Sequence, residues 1–142
     1  NIVQILLGQV KERLRAQATE ILDFVGLNDR DSELGGALAY GDQRLLEVAI
    51  ALAAGPTLLM LDEPVSGMNS SETASFMLTL GRIRERNITV LLVEHDMRMV
   101  MGVSDRVLVL NHGKIIAEGS PEEIQSNSEV IEAYLGHGAR RA

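Results

Sequence analysis

Leu58-Leu59-Met60-Leu61-Asp62-Glu63-Pro64 is the stretch on which the fold turns. Thr57 to Leu61 is a short apolar run, bounded by Gly55-Pro56 before it and Pro64 after it. Continuous apolarity over so few residues predicts a strand buried on both faces of a parallel sheet. The acids that close the run stand where open α/β sheets bind ligands, at the carboxyl end of a strand. An Asp there can order a Mg²⁺ that neutralises phosphate oxygens, and an adjacent acid can orient or deprotonate a water. Asp62 and Glu63 equally suit a plain turn at a strand end, and the heptapeptide alone does not decide between the two.

Moving outward, Ile88 to Val93 repeats the pattern as a second buried strand, with His95 just past it in Val93-Glu94-His95-Asp96. Between the strands, Asn69 with Glu72 three residues on predicts a capping-box start for a helix ending near Asn87. Upstream, apolar positions at Leu7, Val10, Leu14, Ile21 and Val25 predict a helix over 2–25, with Gly26 as its stop. Asn28 to Gly36 is polar and glycine-bearing and reads as a loop; a helix from about Gly41 to Ala54 follows, ended by Gly55-Pro56. Downstream, a short helix spans Asp96 to about Met101. Arg106–Leu110 and Lys114–Glu118 then form a hairpin on Asn111-His112-Gly113. Ser120-Pro121-Glu122-Glu123 opens the first of two short helices, ending at Tyr134-Leu135-Gly136. Alternating strands and helices mean an α/β fold with a mostly parallel sheet.

The bulk properties narrow the function classes. The 142 residues suit one domain with a modest core, and 46% apolar content argues against global disorder. A net charge of -7 argues against nucleic acid as the main partner, since phosphate backbones are held by clustered Lys and Arg; the Arg140-Arg141 tail is too small to count. The absence of cysteine excludes disulfide frameworks and thiolate metal sites. No apolar run reaches the length of a membrane span. The chain opens on Asn1, with Ile2 to Leu7 already patterned, so we read it as a piece of something longer.

Leu38-Ala39-Tyr40-Gly41-Asp42-Gln43-Arg44 places a glycine-bearing turn before a helix, where unpaired backbone N–H groups and the positive dipole end favour an anion. Taken alone, a simple N-cap with Asp42 complementing the dipole is the commoner arrangement. A neutral His95 past the second strand could hydrogen-bond a terminal phosphate or water, or serve as an ordinary polar loop residue.

Taken in order, glycine turn and helix, strand with Asp-Glu-Pro, Ser66-Gly67-Met68-Asn69, then strand with His, the chain resembles the ATPases of ABC transporters over nearly its whole length. Lys114 and Glu118-Gly119-Ser120-Pro121 resemble the hairpin that follows in that family. Tyr40, Gly67-Met68-Asn69 and the ending Val130 to Gly136 look closest to the ATP-binding subunits of branched-chain amino acid importers. The resemblance implies a partial P-loop NTPase domain. Residues 1–54 would hold the end of the helical subdomain with the signature loop, 55–120 the Walker B, D-loop and switch-His core, and 121–142 the C-terminal helices. It implies ATP and Mg²⁺ as cofactors, with Asp62 on the metal, Glu63 on the attacking water and His95 on the γ-phosphate. Leu38, Ala39, Tyr40, Gly41 and Asp42 would serve a partner's nucleotide, and Ser66, Gly67 and Asn69 would form the D-loop. The implied partners are a second ATP-binding subunit and membrane permease subunits, with the protein peripheral on the cytoplasmic face of the membrane. The helix over 2–25 would then contact the permease.

Three departures matter. The signature's usual Ser is Ala39 and its usual Gln is Asp42, which implies weaker or retuned binding, and Asn69 stands for the commoner Asp. No Gly-x-x-x-x-Gly-Lys-Ser/Thr occurs in the chain, so by itself it should bind nucleotide poorly. A sheet without its remaining strands would expose an edge, from which self-association follows. Two competing readings are a non-catalytic interaction module and an ABC ATPase without a membrane partner. Met97, Met99 and Met101 read as packing residues, Arg82, Arg84, Glu85 and Arg86 as a solvated helix face. His112 and His137 lack ligand companions at metal-binding spacing.

Overall fold

The computed structural model describes residues 2–135. The readings placed on Gly136, His137 and Arg140-Arg141 lie outside the described residues. The chain divides after Val93 into two compact units.

In the first unit, α1 (Ile2–Val25) ends where Gly26 takes φ 86°. Leu27 N–H donates to Leu22 O at 2.7 Å and Gly26 N–H to Asp23 O at 3.1 Å, a paired closure that uses two terminal carbonyls of the helix. The same reversal turns Val25 and Leu27 inward, where they bury with Ala49 and pack against Leu45, Leu46 and Leu52 of α2 (Tyr40–Ala53). The segment read as a loop carries two 3₁₀ turns, Asn28–Arg30 and Gly35–Ala37.

β1 (Leu58–Asp62) and β2 (Thr89–Val93) pair in parallel, Leu58 opposite Thr89 through Asp62 opposite Val93. α3 (Ser70–Glu85) crosses between them, packing on β2 with Phe76, Leu80 and Ile83 buried. The expected capping box is present: Asn69 Oδ1 accepts from Ser71 N–H at 2.9 Å and Glu72 N–H at 3.0 Å, and Glu72 Oε2 accepts from Asn69 N–H at 2.8 Å.

The expectation of strands buried on both faces is corrected. Leu59 is buried, with Leu61, Val90 and Leu92 half-buried, whereas Leu58, Met60, Leu91 and Val93 are exposed. Side chains alternate across a strand, so burial on both faces needs cover on both. Among the described residues β1 and β2 pair only with each other, and one of their faces stays open.

In the second unit, Asp96 caps α4 (Met97–Val103), its Oδ1 accepting from Arg98 N–H at 2.9 Å and Met99 N–H at 3.2 Å. β3 (Val107–Asn111) and β4 (Lys114–Gly119) form the expected antiparallel hairpin, with an irregularity between Val109 and Leu110. Its turn holds His112 at φ 48° and Gly113 at φ 75°, the two left-handed residues a tight two-residue hairpin requires. Arg106 pairs with Glu118 across the strands. α5 (Pro121–Ser126) begins at the Ser120/Glu123 capping box, and α6 (Ser128–Val130) runs into a π-helical turn at Ile131–Leu135. Val107, Val109, Ile124 and Val130 form this unit's core, with Met97, Val100 and Met101 packed against it and Met99 buried. The three methionines are packing residues, as expected.

Candidate functional site

Asp62 ends β1, and both its side chain and that of Glu63 are exposed, while Pro64 and Val65 behind them are buried. The backbone fixes this corner. Glu63 N–H donates to Val93 O at 2.9 Å, continuing the ladder one step beyond the strand, and Glu63 O accepts from Ser66 N–H at 3.1 Å. Glu63 sits at φ 44°, a left-handed conformation that costs a non-glycine residue about 1–2 kcal/mol. Strain of this kind concentrates at functional sites, and here it turns the chain sharply at the second acid.

The next turn carries Ser66, Gly67 and Asn69. Met68 N–H donates to Val65 O at 3.0 Å, and Gly67 takes φ 84°. The Tyr40 ring lies against Gly67 so closely that a Cβ there would fall 3.2 Å from Cε1 of Tyr40. The left-handed backbone favours glycine, and an added Cβ would crowd the ring by a few tenths of an ångström.

The start of α2 lies beside this turn. Ala39 occupies the N-cap in extended conformation and offers no side chain to the first-turn N–H groups. Those donors and the dipole make the helix start suited to an anion. Leu38 is buried, its carbonyl held by Gln43 Nε2 at 2.9 Å. Asp42 lies in the first turn, with Arg30 Nη2 4.0 Å from its Oδ2 to offset its charge. Gly41 is buried against Glu72; a Cβ would fall 3.0 Å from Cγ of Glu72 and 3.1 Å from its Cδ. That close approach sets the starts of α2 and α3 side by side.

Tyr40 points toward the neighbouring turn. Its hydroxyl donates to Ser66 O at 2.9 Å and accepts from Arg44 Nε at 3.1 Å and Nη2 at 2.9 Å. Arg44 Nη1 also donates to Glu47 Oε2 at 2.8 Å. These bonds, Glu47 first and Tyr40 second, hold the Arg44 guanidinium pKa above its ordinary value.

The first unit therefore brings together Tyr40, Gly41, Ser66, Gly67 and Asn69, with Asp62 and Glu63 joined to them through the backbone turn. His95 belongs to the second unit and is largely exposed, its Nδ1 3.8 Å from Oε2 of Glu94, whose side chain is buried. No group of three or more potential metal ligands occurs among the described residues. Sequence reasoning missed Gln43, Arg44 and Glu72 as parts of this site. Gln43 and Arg44 stood in the quoted motif, but nothing in it says whose carbonyl or hydroxyl they reach. It also took Arg82 and Arg86 as merely solvated; their guanidinium carbons lie over the Phe24 ring, 5.4 and 3.7 Å from its centroid.

Comparison with known proteins matches residues 4–66 to the family described as ABC transporter, and residues 114–140 to the branched-chain amino acid ATP-binding cassette transporter family. The chain is 46% identical over 120 residues to the high-affinity branched-chain amino acid transport ATP-binding protein BraF of Pseudomonas aeruginosa, covering 84% of the chain and 47% of that protein. It is likewise 46% identical over 121 residues to the protein of that description, LivG, of Escherichia coli K12, covering 84% of the chain and 48% of LivG. Among solved structures, the ADP conformation of MJ1267, an ATP-binding cassette of an ABC transporter, superposes with a TM-score of 0.80. Sequence identity there is 28%, over 87% of this chain and 50% of that one. The chain thus spans about half the length of the curated relatives it matches. On the order of its motifs, its fold and these likenesses, the chain belongs to the ABC transporter ATPases.

Proposed function

We propose that this chain carries the signature half of one ATP site and the hydrolytic half of another, in a subunit whose ATP hydrolysis powers import of branched-chain amino acids. The observation that carries the reading is the convergence within one unit of the uncapped α2 start, the Glu63 corner and the Ser66–Asn69 turn. The printed descriptions of the relatives supply the transported class. In this reading residues 1–54, 55–120 and 121–142 act as the signature-bearing part, the hydrolytic core and the C-terminal helices.

Asp62 fits a Mg²⁺ held mainly by phosphates and water, because that ion is usually bound by one or two carboxylates with the substrate supplying the rest. When bound, Mg²⁺ neutralises charge on the phosphate oxygens. Glu63 orients the attacking water and accepts its proton. The strained corner fixes the direction from which it does so. His95 hydrogen-bonds the γ-phosphate. The backbone N–H groups at the start of α2, with Leu38, Ala39, Gly41, Asp42 and the backbone of Tyr40 around them, face the nucleotide of the partner subunit. Ser66, Gly67 and Asn69 form the dimer-facing turn between the two sites. Permease subunits would hold the protein on the cytoplasmic side of a membrane; none of the described helices is long and apolar enough to cross one.

The test is Glu63→Gln in the full-length subunit assembled with its transporter. Nucleotide binding is expected to persist while hydrolysis falls by at least about 100-fold, the scale of a lost general base. Brisk hydrolysis by that variant would sink the assignment.

A further inference from the structure

We infer that Tyr40 is a positioning residue for hydrolysis, acting on the Glu63 corner through the carbonyl of Ser66. The inference rests on the reading of Glu63 given above and adds a residue that the helix-start anion site does not require. Tyr40 and Ser66 lie 26 positions apart, yet the phenol donates to Ser66 O at 2.9 Å. Ser66 N–H in turn donates to Glu63 O at 3.1 Å, and Glu63 N–H to Val93 O at 2.9 Å. One run of hydrogen bonds therefore leads from the first residue of α2 to the end of β2, passing through the backbone of the proposed base.

Each link restrains the next. A phenol offers one donor and two acceptor positions, and all are used here: Ser66 takes the proton, and Arg44 Nε and Nη2 fill the acceptor sites at 3.1 and 2.9 Å. Arg44 also lies over the ring, 5.2 Å from its centroid, and is anchored by Glu47 at 2.8 Å. The hydroxyl consequently has a fixed direction even though the ring is 44% exposed. Gly67 completes the fit, since a Cβ there would crowd the ring at 3.2 Å. A left-handed Glu63 needs its surroundings to over-determine it, and Tyr40 holds the far side of that turn.

The chemical consequence is directional. Tyr40 touches neither phosphate nor water in this scheme. It keeps the Glu63 backbone from relaxing out of φ 44°, and so keeps the carboxylate aimed. Its loss should lower the rate of the chemical step and leave nucleotide affinity alone, because a base out of line costs transition-state stabilisation only.

The experiment is steady-state ATP hydrolysis by the full-length subunit in its assembled transporter, comparing wild type, Tyr40→Phe, Arg44→Gln, the double variant and Glu63→Gln. Phe keeps the ring against Gly67 and removes only the hydroxyl. Tyr40→Phe is expected to lower kcat about five-fold, the loss of one hydrogen bond's net worth of about 1 kcal/mol from the barrier, with KM for ATP nearly unchanged and the melting temperature down by no more than about 4 °C. Arg44→Gln should lower kcat less, and the double variant should fall no further than Tyr40→Phe. Wild-type kcat in Tyr40→Phe beside an inactive Glu63→Gln would overturn the positioning role and leave the reading of Glu63 standing. So would a loss of ATP affinity as large as the fall in kcat, which marks a structural role. An active Glu63→Gln would remove the base itself, and the inference with it.

Discussion

Two glycine-to-alanine exchanges, made separately, should move stability in opposite directions. Gly67 has φ 84°, and an added Cβ would meet Cε1 of Tyr40 at 3.2 Å. Gly81 lies inside α3, and an added Cβ there meets nothing within 4 Å. At Gly67 the left-handed backbone costs alanine about 1–2 kcal/mol. Moving the ring by the few tenths of an ångström this needs weakens its bond to Ser66, which is worth at most about 1 kcal/mol net. Against this stands the reduced freedom of the unfolded chain, about 0.4–1 kcal/mol. The balance is a loss of about 1.5 kcal/mol. Gly81→Ala keeps the entropic gain without penalty and should stabilise by about 0.5–1 kcal/mol. For a chain of 142 residues a kilocalorie corresponds to about 4 °C, so Gly67→Ala should melt about 6 °C lower and Gly81→Ala about 2–4 °C higher. The assay is thermal unfolding followed by circular dichroism. Shifts of the same sign, or a Gly67→Ala that melts at or above the wild type, would refute the claim that Tyr40 is seated on this turn.

Two further perturbations follow from the described contacts. Arg86 lies 3.7 Å from the Phe24 centroid, so a double-mutant cycle of Phe24→Leu with Arg86→Gln should return a coupling of about 0.5–1 kcal/mol at this exposed site; additivity would show the ring and cation to be mere neighbours. Ser120→Ala should remove the cap of α5 and cost about 1 kcal/mol in urea unfolding. It should also alter the acid limb of stability. The Glu122 backbone and the Ser120 hydroxyl hold the Glu122 carboxyl below its ordinary value of 4.5. A depressed carboxyl stabilises the fold above the unfolded value and loses that contribution as pH falls through the folded one. Below about pH 4.5, therefore, the Ser120→Ala profile should be flatter than that of the wild type, and parallel profiles would exclude the link.

Local order was legible in the sequence where single residues decide it. Asn69 with Glu72 and Ser120 with Glu123 announce helix starts because a short polar side chain three residues from an acid satisfies two donors at once. Asn111-His112-Gly113 announces the hairpin because a glycine there readily takes the left-handed backbone a tight turn requires. Asp62 and Glu63 could be placed at a strand end from apolar length alone. What could not be read is who meets whom over distance. The phenol of Tyr40 on Ser66, the carboxylate of Glu72 on Gly41 and Phe24 under two arginines depend on how helices cross, which periodicity does not encode. The turn at Glu63 was hidden for a different reason. Its left-handed backbone defies the residue's own preference and is set by the neighbours that hold it. The apolar runs predicted burial on both faces, and for Leu58 and Met60 they recorded a preference rather than the environment found.

The open face of β1 and β2 has a chemical signature of its own. Of the six methionines, only Met60 is exposed, at 68%; Met99 is buried and the other four are half-buried. Thioether oxidation follows solvent access, and it turns an apolar side chain into a polar one. Mild peroxide should therefore mark Met60 before any other sulfur in the chain, and whatever comes to lie over that face should protect it. One oxygen atom, weighed by mass spectrometry, becomes a gauge of whether this sheet surface is covered or bare.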